Sequence, residues 1–108
     1  MIFCVIKIYP LPGRGHVIID VLDSLTGPVS ALAGCLGCSV AVEPGEAGVI
    51  CYIEKWTARA ALDRHLNSHL YGRVLEAMEW SSQTPDVEFY AVTDVGGLDL
   101  VEQARKHN

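Results

Sequence analysis

Glu54 and His65 form the pair in this sequence best suited to moving a proton. Histidine is the side chain whose unperturbed charge change falls near neutral pH, and a carboxylate can fix its tautomer and orientation. His65 flanks the apolar stripe of a predicted helix, and Glu54 shares a predicted strand face with Tyr52 and Trp56. The plainer reading makes His65 a core histidine bonded to Glu54 or to backbone, since buried polar groups are paired for stability alone. Glu54 can likewise be one half of a sheet-edge ion pair. Tyr52 and Trp56 are candidates to line a pocket for an aromatic ligand, although large aromatics at strand ends commonly serve the core.

His69 lies one helical turn beyond His65, and two histidines at that spacing can hold a metal. Leu66 stands where a zinc-protease helix needs Glu, and no third ligand is evident, so no metal site is predicted. Arg73 and Lys7 are candidate stabilisers of a developing oxyanion, or solvated surface cations. His16 reads as surface. Cys35 and Cys38 form a lone CxxC, whereas a structural zinc site usually takes two such pairs and a redox CxxC a helix N-terminus. This one precedes the apolar run Ser39-Val40-Ala41-Val42, so structural thiols are expected there.

Those residues need elements to position them. Residues 2–9 read as a strand, with Ile2, Cys4, Ile6 and Ile8 on one face. Pro10 to Gly13 signal a turn. A helix is predicted over about residues 14–25, with Val17, Val21, Leu22 and Leu25 as its apolar positions and Thr26-Gly27-Pro28 ending or kinking it. Strands at about 36–43 and 48–56 follow, joined by a short loop at 44–47. The second is apolar on both faces near its start, as an interior strand would be. Thr57 is the expected N-cap of a helix over about 58–80. Its stripe is Leu62, Leu66, Leu70, Val74 and Met78, with Asn67-Ser68 and Gly72 as possible breaks. A last strand at 87–93 and a tail with a short helix at 98–106 complete the chain. The order β-α-β-β-α-β is that of an α+β, ferredoxin-like fold: a four-stranded antiparallel sheet with its helices on one face. The apolar second face calls for a partner sheet, hence a homodimer.

The 108 residues suit one domain spanning 1–108, with 95–108 as a C-terminal tail. With 50% hydrophobic and 19% charged residues, the composition is globular. A net charge of -5 argues against nucleic acid or an anionic membrane as partner. The apolar start, Met1 to Tyr9, is broken by Lys7, stopped by Pro10 and too short to span a bilayer. With no signal-peptide pattern at that end, the expected location is cytoplasmic.

The stretch from Tyr52 to His69 resembles the antibiotic biosynthesis monooxygenase domain of the dimeric α/β-barrel superfamily. The shared pattern is a strand ending in Glu-x-Trp (Glu54, Trp56), a helix opening with Ser or Thr (Thr57), and a His about nine residues after the Trp (His65). Gly34-Cys35 resembles the family's Pro-Gly-Cys start of the second strand, with Ala33 in place of Pro. The resemblance implies a ferredoxin-like protomer, dimerised through its sheets into a barrel, with a cavity between sheet and helices. It implies oxidation of quinols or polyketide anthrones without a cofactor. The haem-degrading branch is less similar: its first-strand Asn has no counterpart in residues 2–9, its Trp falls at His65, and its iron-binding His falls near Leu75.

On this reading His65 is the general base and Glu54 its orienting carboxylate, with Trp56, Tyr52, His69 and Arg73 around an aromatic substrate. The alternatives are a non-catalytic module that holds an apolar metabolite, and a regulatory or scaffold dimer whose cavity is filled by side chains.

Overall fold

The alternation of residues 2–8 makes the first strand two-faced: Cys4, Ile6 and Ile8 are buried, while Phe3, Val5 and Lys7 point to the other side and stay partly exposed. A computed structural model describes residues 1–45 and 47–106. Its strands are β1 (Ile2–Ile8), β2 (Cys35–Val42), β3 (Ile50–Trp56) and β4 (Asp86–Ala91). Its helices are α1 (Gly15–Ser30), α2 (Arg59–Leu66), α3 (His69–Met78) and α4 (Leu98–Lys106). The strands form one antiparallel sheet in the order β2-β3-β1-β4. This is the expected ferredoxin-like arrangement, and β3 is interior as its two apolar faces required. The core lies between the sheet and the helices, where Ile18, Leu22, Leu25 and Val29 of α1 meet Ile6, Ile8, Ile50 and Val74. No helix among the described residues is long and apolar enough to cross a membrane.

Several local expectations are corrected. The first helix does not stop at Thr26-Gly27-Pro28 but continues through Pro28 to Ser30. Pro removes one donor and crowds the preceding turn. Burying Leu25 and Val29 on the same face outweighs that local penalty. The buried face is Ile18, Leu22, Leu25 and Val29, with Val17 and Val21 beside it. The long helix over 58–80 is two helices, broken at Asn67-Ser68; Gly72 lies within α3. Ser68 caps α3 by accepting the Tyr71 N–H at 3.3 Å, so the break is chemically specified. Restarting the helix rotates the apolar stripe. Leu66, Leu70 and Met78 are half-buried, and Ala61, Leu62, Tyr71, Val74 and Ala77 fill the core instead. Thr57 is not the N-cap of α2; Ala58 holds that position, and the Thr57 N–H donates to the Gly34 carbonyl at 2.8 Å. The loop expected at 44–47 includes Glu46, which lies outside the described residues.

Phe3, Val5, Cys51 and Ile53 remain half-buried on the open sheet face, where Lys55 sits 5.1 Å from the Phe3 ring centroid. The last strand is Asp86–Ala91, shorter than 87–93 and exposed throughout. The expected tail helix is present as α4, and it has no buried residues.

Candidate active site

Period-two alternation aims Ile50, Tyr52, Glu54 and Trp56 of β3 into the core, and all are 0% exposed. Glu54 is therefore a carboxylate on an interior strand, in register with Cys4 on β1 and Cys38 on β2. A carboxylate removed from water needs donors, and Glu54 has three. The Tyr52 hydroxyl donates to Oε2 at 2.6 Å, the Trp56 indole N–H to Oε1 at 3.1 Å, and His65 Nε2 to Oε2 at 2.8 Å.

His65 descends from α2 and is 2% exposed. Its ring stacks on Trp56, with centroids 4.9 Å apart and planes 30° from parallel, and meets the edge of Tyr71 at 5.4 Å. Because Nε2–H donates a hydrogen bond to the carboxylate, Nδ1 is the ring nitrogen left with a free lone pair. Ser68 Oγ lies 3.4 Å from Nδ1. The single Ser68 hydroxyl proton is donated to the His65 carbonyl at 2.6 Å, which leaves Nδ1 able to accept a proton from elsewhere.

The rest of the cluster consists of neutral donors. The Cys38 thiol donates to the Tyr52 hydroxyl at 3.2 Å. Burial pushes the Cys4 thiol up to about 12, with Glu54 adding to the effect. Burial likewise pushes Cys38 to about 11, partly offset by its bond to Tyr52. The Tyr52 phenol is raised by burial first and then by Glu54. These groups all keep their protons at neutral pH. Among the described residues, no three His, Cys, Asp or Glu side chains gather as a metal-ligand set.

Two clefts lie near this cluster. One, of about 310 Å³, is walled by Leu32, Trp56, Ala61, Arg64, His65 and Ser68. The other, about 370 Å³, runs between α2 and β4 past Ile2, Leu62, Leu66 and Phe89. The larger cleft is lined by two polar side chains, Arg59, whose charge is answered by Asp63 at 2.8 Å, and Tyr90, whose hydroxyl donates to Glu88; neither is a base. The smaller contains the imidazole, so it is the candidate site.

Glu54, His65, Tyr52 and Trp56 are thus brought together. Trp56 and His65 wall the smaller cleft, whereas Tyr52 lines neither and lies against the carboxylate. His69 is exposed at the start of α3, and Arg73 pairs with Glu76 at 3.4 Å; neither joins the cluster. Lys7 pairs with Glu43 at 2.8 Å. Ser68 and Arg64 were not among the expected site residues. The Asn67-Ser68 break was the signal for the first; the second follows only from its position on the cleft wall.

The model of the antibiotic biosynthesis monooxygenase family matches residues 1–80. The chain belongs to that family. The family match covers β1 through α3, including every residue of the Glu54 cluster. A solved antibiotic biosynthesis monooxygenase is 20% identical, with a TM-score of 0.76 over 87% of this chain and 100% of its own. A Mycobacterium tuberculosis protein is 23% identical, with a TM-score of 0.77 over 89% of this chain and 98% of its own. A Pseudomonas aeruginosa protein is 25% identical, with a TM-score of 0.74 over 86% and 94%. Among curated proteins none matches. For this monooxygenase-family chain, the structural likenesses carry the fold, and the chemistry rests on its own residues.

Proposed function

We propose that the chain is a cofactor-independent monooxygenase, acting on a quinol-like or polyphenolic substrate held in the smaller cleft. The observation that carries this reading is the buried Glu54–His65 pair, joined at 2.8 Å, on the wall of a cleft large enough for an aromatic ring system. Glu54 holds Nε2–H, and Nδ1 takes the phenolic proton. The substrate anion then supplies the electrons. Dioxygen adds at the activated ring carbon, and the resulting peroxide takes a proton back from His65. Loss of water leaves a carbonyl: one oxygen atom stays in the product, and the other departs as water with the carbon's remaining hydrogen. The apolar wall of Leu32 and Ala61 keeps bulk water from the anion.

The test is oxygen uptake across a panel of quinols, with quinone appearance followed by absorbance. His65→Gln keeps some hydrogen bonding but supplies no base near neutrality, so turnover should fall by about 10²–10⁴-fold. Circular dichroism must show a folded variant for that loss to count. Unchanged turnover in the folded variant refutes the base.

A second reading, a module that only binds an aromatic metabolite, draws on a different observation. Among the described residues no buried side-chain nitrogen or oxygen lacks a partner, as a purely structural cluster would require. Ligand binding without oxygen uptake would favour it.

The expected assembly is a homodimer, with the half-buried Phe3, Val5 and Ile53 face packed on its copy. Light scattering at low micromolar concentration should give twice 11.7 kDa. The assignment of 1–108 as one domain, and a cytoplasmic location, belong to this same proposal.

A further inference from the structure

Arg64 carries the one positive charge on the wall of the His65 cleft, and among the described residues no carboxylate answers it. The other cations of β1 through α3 are all engaged. Lys7, Arg59 and Arg73 pair with Glu43, Asp63 and Glu76. Arg14 lies 5.2 Å from the Trp80 ring centroid, and Lys55 lies 5.1 Å from that of Phe3. Among the described residues before the terminal helix, Arg64 alone has neither a carboxylate nor an aromatic face. It is exposed in the last turn of α2, next to His65.

We infer that Arg64 is a specificity-determining residue that recognises a carboxylate on the aromatic ligand of this cleft. A guanidinium presents its N–H donors as a planar fork that matches a carboxylate. The surroundings divide the ligand in two: Leu32, Trp56 and Ala61 offer apolar wall to a ring, and Arg64 offers charge to a substituent. The acidic chain as a whole, at -5, disfavours anions, so a preference for one must arise locally. The other cleft sharpens the contrast. Its arginine, Arg59, already has a carboxylate partner in Asp63. The inference rests on reading the smaller cleft as the ligand site, but not on any oxidation there.

The experiment is a pair of calorimetric titrations of the full chain, with 2-naphthoate and with its neutral amide, at low ionic strength. The acid should bind about tenfold or more tighter than the amide, as a charge-assisted pair allows. Added salt should erode that preference. Arg64→Gln, an exposed substitution, should keep the wild-type melting temperature, leave amide affinity unchanged and abolish the preference. His65→Gln should retain the preference. No oxygen uptake by the wild type across the quinol panel, with the preference intact, would defeat the oxygenase reading alone. No preference in the wild type, an undiminished preference in folded Arg64→Gln, or failure of both probes to bind would overturn the role of Arg64.

Discussion

Replacing Glu54 with Gln changes almost no volume and removes one acceptor oxygen, so it isolates the electrostatics of the buried cluster. The carboxylate receives two donors at Oε2, from Tyr52 and His65, and one at Oε1, from Trp56. A glutamine has one acceptor oxygen and an NH₂ that must take the other place. With its oxygen toward Tyr52 and His65, the NH₂ faces the Trp56 N–H, donor against donor. With the amide flipped, it faces the Tyr52 hydroxyl and the His65 N–H, which must both rearrange. The first arrangement orphans one buried donor and weakens two charge-assisted bonds to neutral ones. An orphaned donor costs about 1–3 kcal/mol, and each weakened bond about 1 kcal/mol. These terms add to about 3–5 kcal/mol, and because they share one network the expected loss is somewhat smaller, roughly 2–4 kcal/mol. For a domain of this size that lowers the melting temperature on the order of 10–20 °C. The assay is thermal unfolding by circular dichroism at fixed protein concentration, so that any dimer contribution is held constant. Glu54→Gln should also lose less turnover than His65→Gln, because orientation is weakened rather than the base removed. A variant within about 0.5 kcal/mol of wild type, the scale of ordinary surface changes, would show that the cluster does not depend on the charge of Glu54.

Gly34 has φ +84°, and a Cβ there would stand 2.5 Å from the Ala61 Cβ. Gly34→Ala therefore combines backbone strain with overpacking beside the cleft, and denaturant titration should show a loss of about 2–4 kcal/mol. Pro28→Ala restores a helix donor at an exposed position of α1; it should stabilise the protein by about 1 kcal/mol, and a loss on denaturation would show that α1 has adapted to the proline. Stability should also fall as pH rises above 9.0, the ordinary thiol value from which Cys4 is raised to about 12. The unfolded thiol ionises first and binds fewer protons, so this contribution is complete below pH 9.0 and lost progressively toward pH 12. A rise of the Cys4 thiol from 9.0 to about 12 corresponds to about 4 kcal/mol. Cys4→Ala should flatten the alkaline limb of stability against pH; an unchanged slope would remove Cys4 as its cause.

The residues that meet at Glu54 were legible because strand periodicity is strict. Tyr52, Glu54 and Trp56 must share a face once β3 is a strand, and an interior position makes that face dry. The helices were less legible because their faces depend on phase. A single continuous helix through Ser68 would have kept Leu66, Leu70 and Met78 in line with Leu62 and Val74. The restart at His69 turned that stripe partly outward and brought Tyr71 against His65 instead. Pro28 misled for the opposite reason: a local stop signal yielded to the tertiary burial of Val29. Arg64 was not legible at all. Its significance lies in what it lacks, and the partners of Lys7 and Arg14 come from distant elements that only the folded chain brings near.

The same carboxylate explains both the inertness of its neighbours and the direction of the proposed chemistry. Cys4, Cys38 and Tyr52 surround Glu54 closely, and its negative charge helps to hold each in its protonated form. None of them can accept a proton, because each already carries one. The indole N–H of Trp56 is a donor only. Within the cluster, the imidazole is the one group that can gain a proton while facing the carboxylate. A proton arriving at Nδ1 makes an imidazolium whose Nε2 already lies 2.8 Å from Oε2, so no side chain must move to receive it. Preorganisation of that kind contributes to catalysis because the polar groups are oriented before charge develops. A fully satisfied polar cluster is therefore compatible with proton transfer, because its one remaining basic atom belongs to a side chain that walls the cleft.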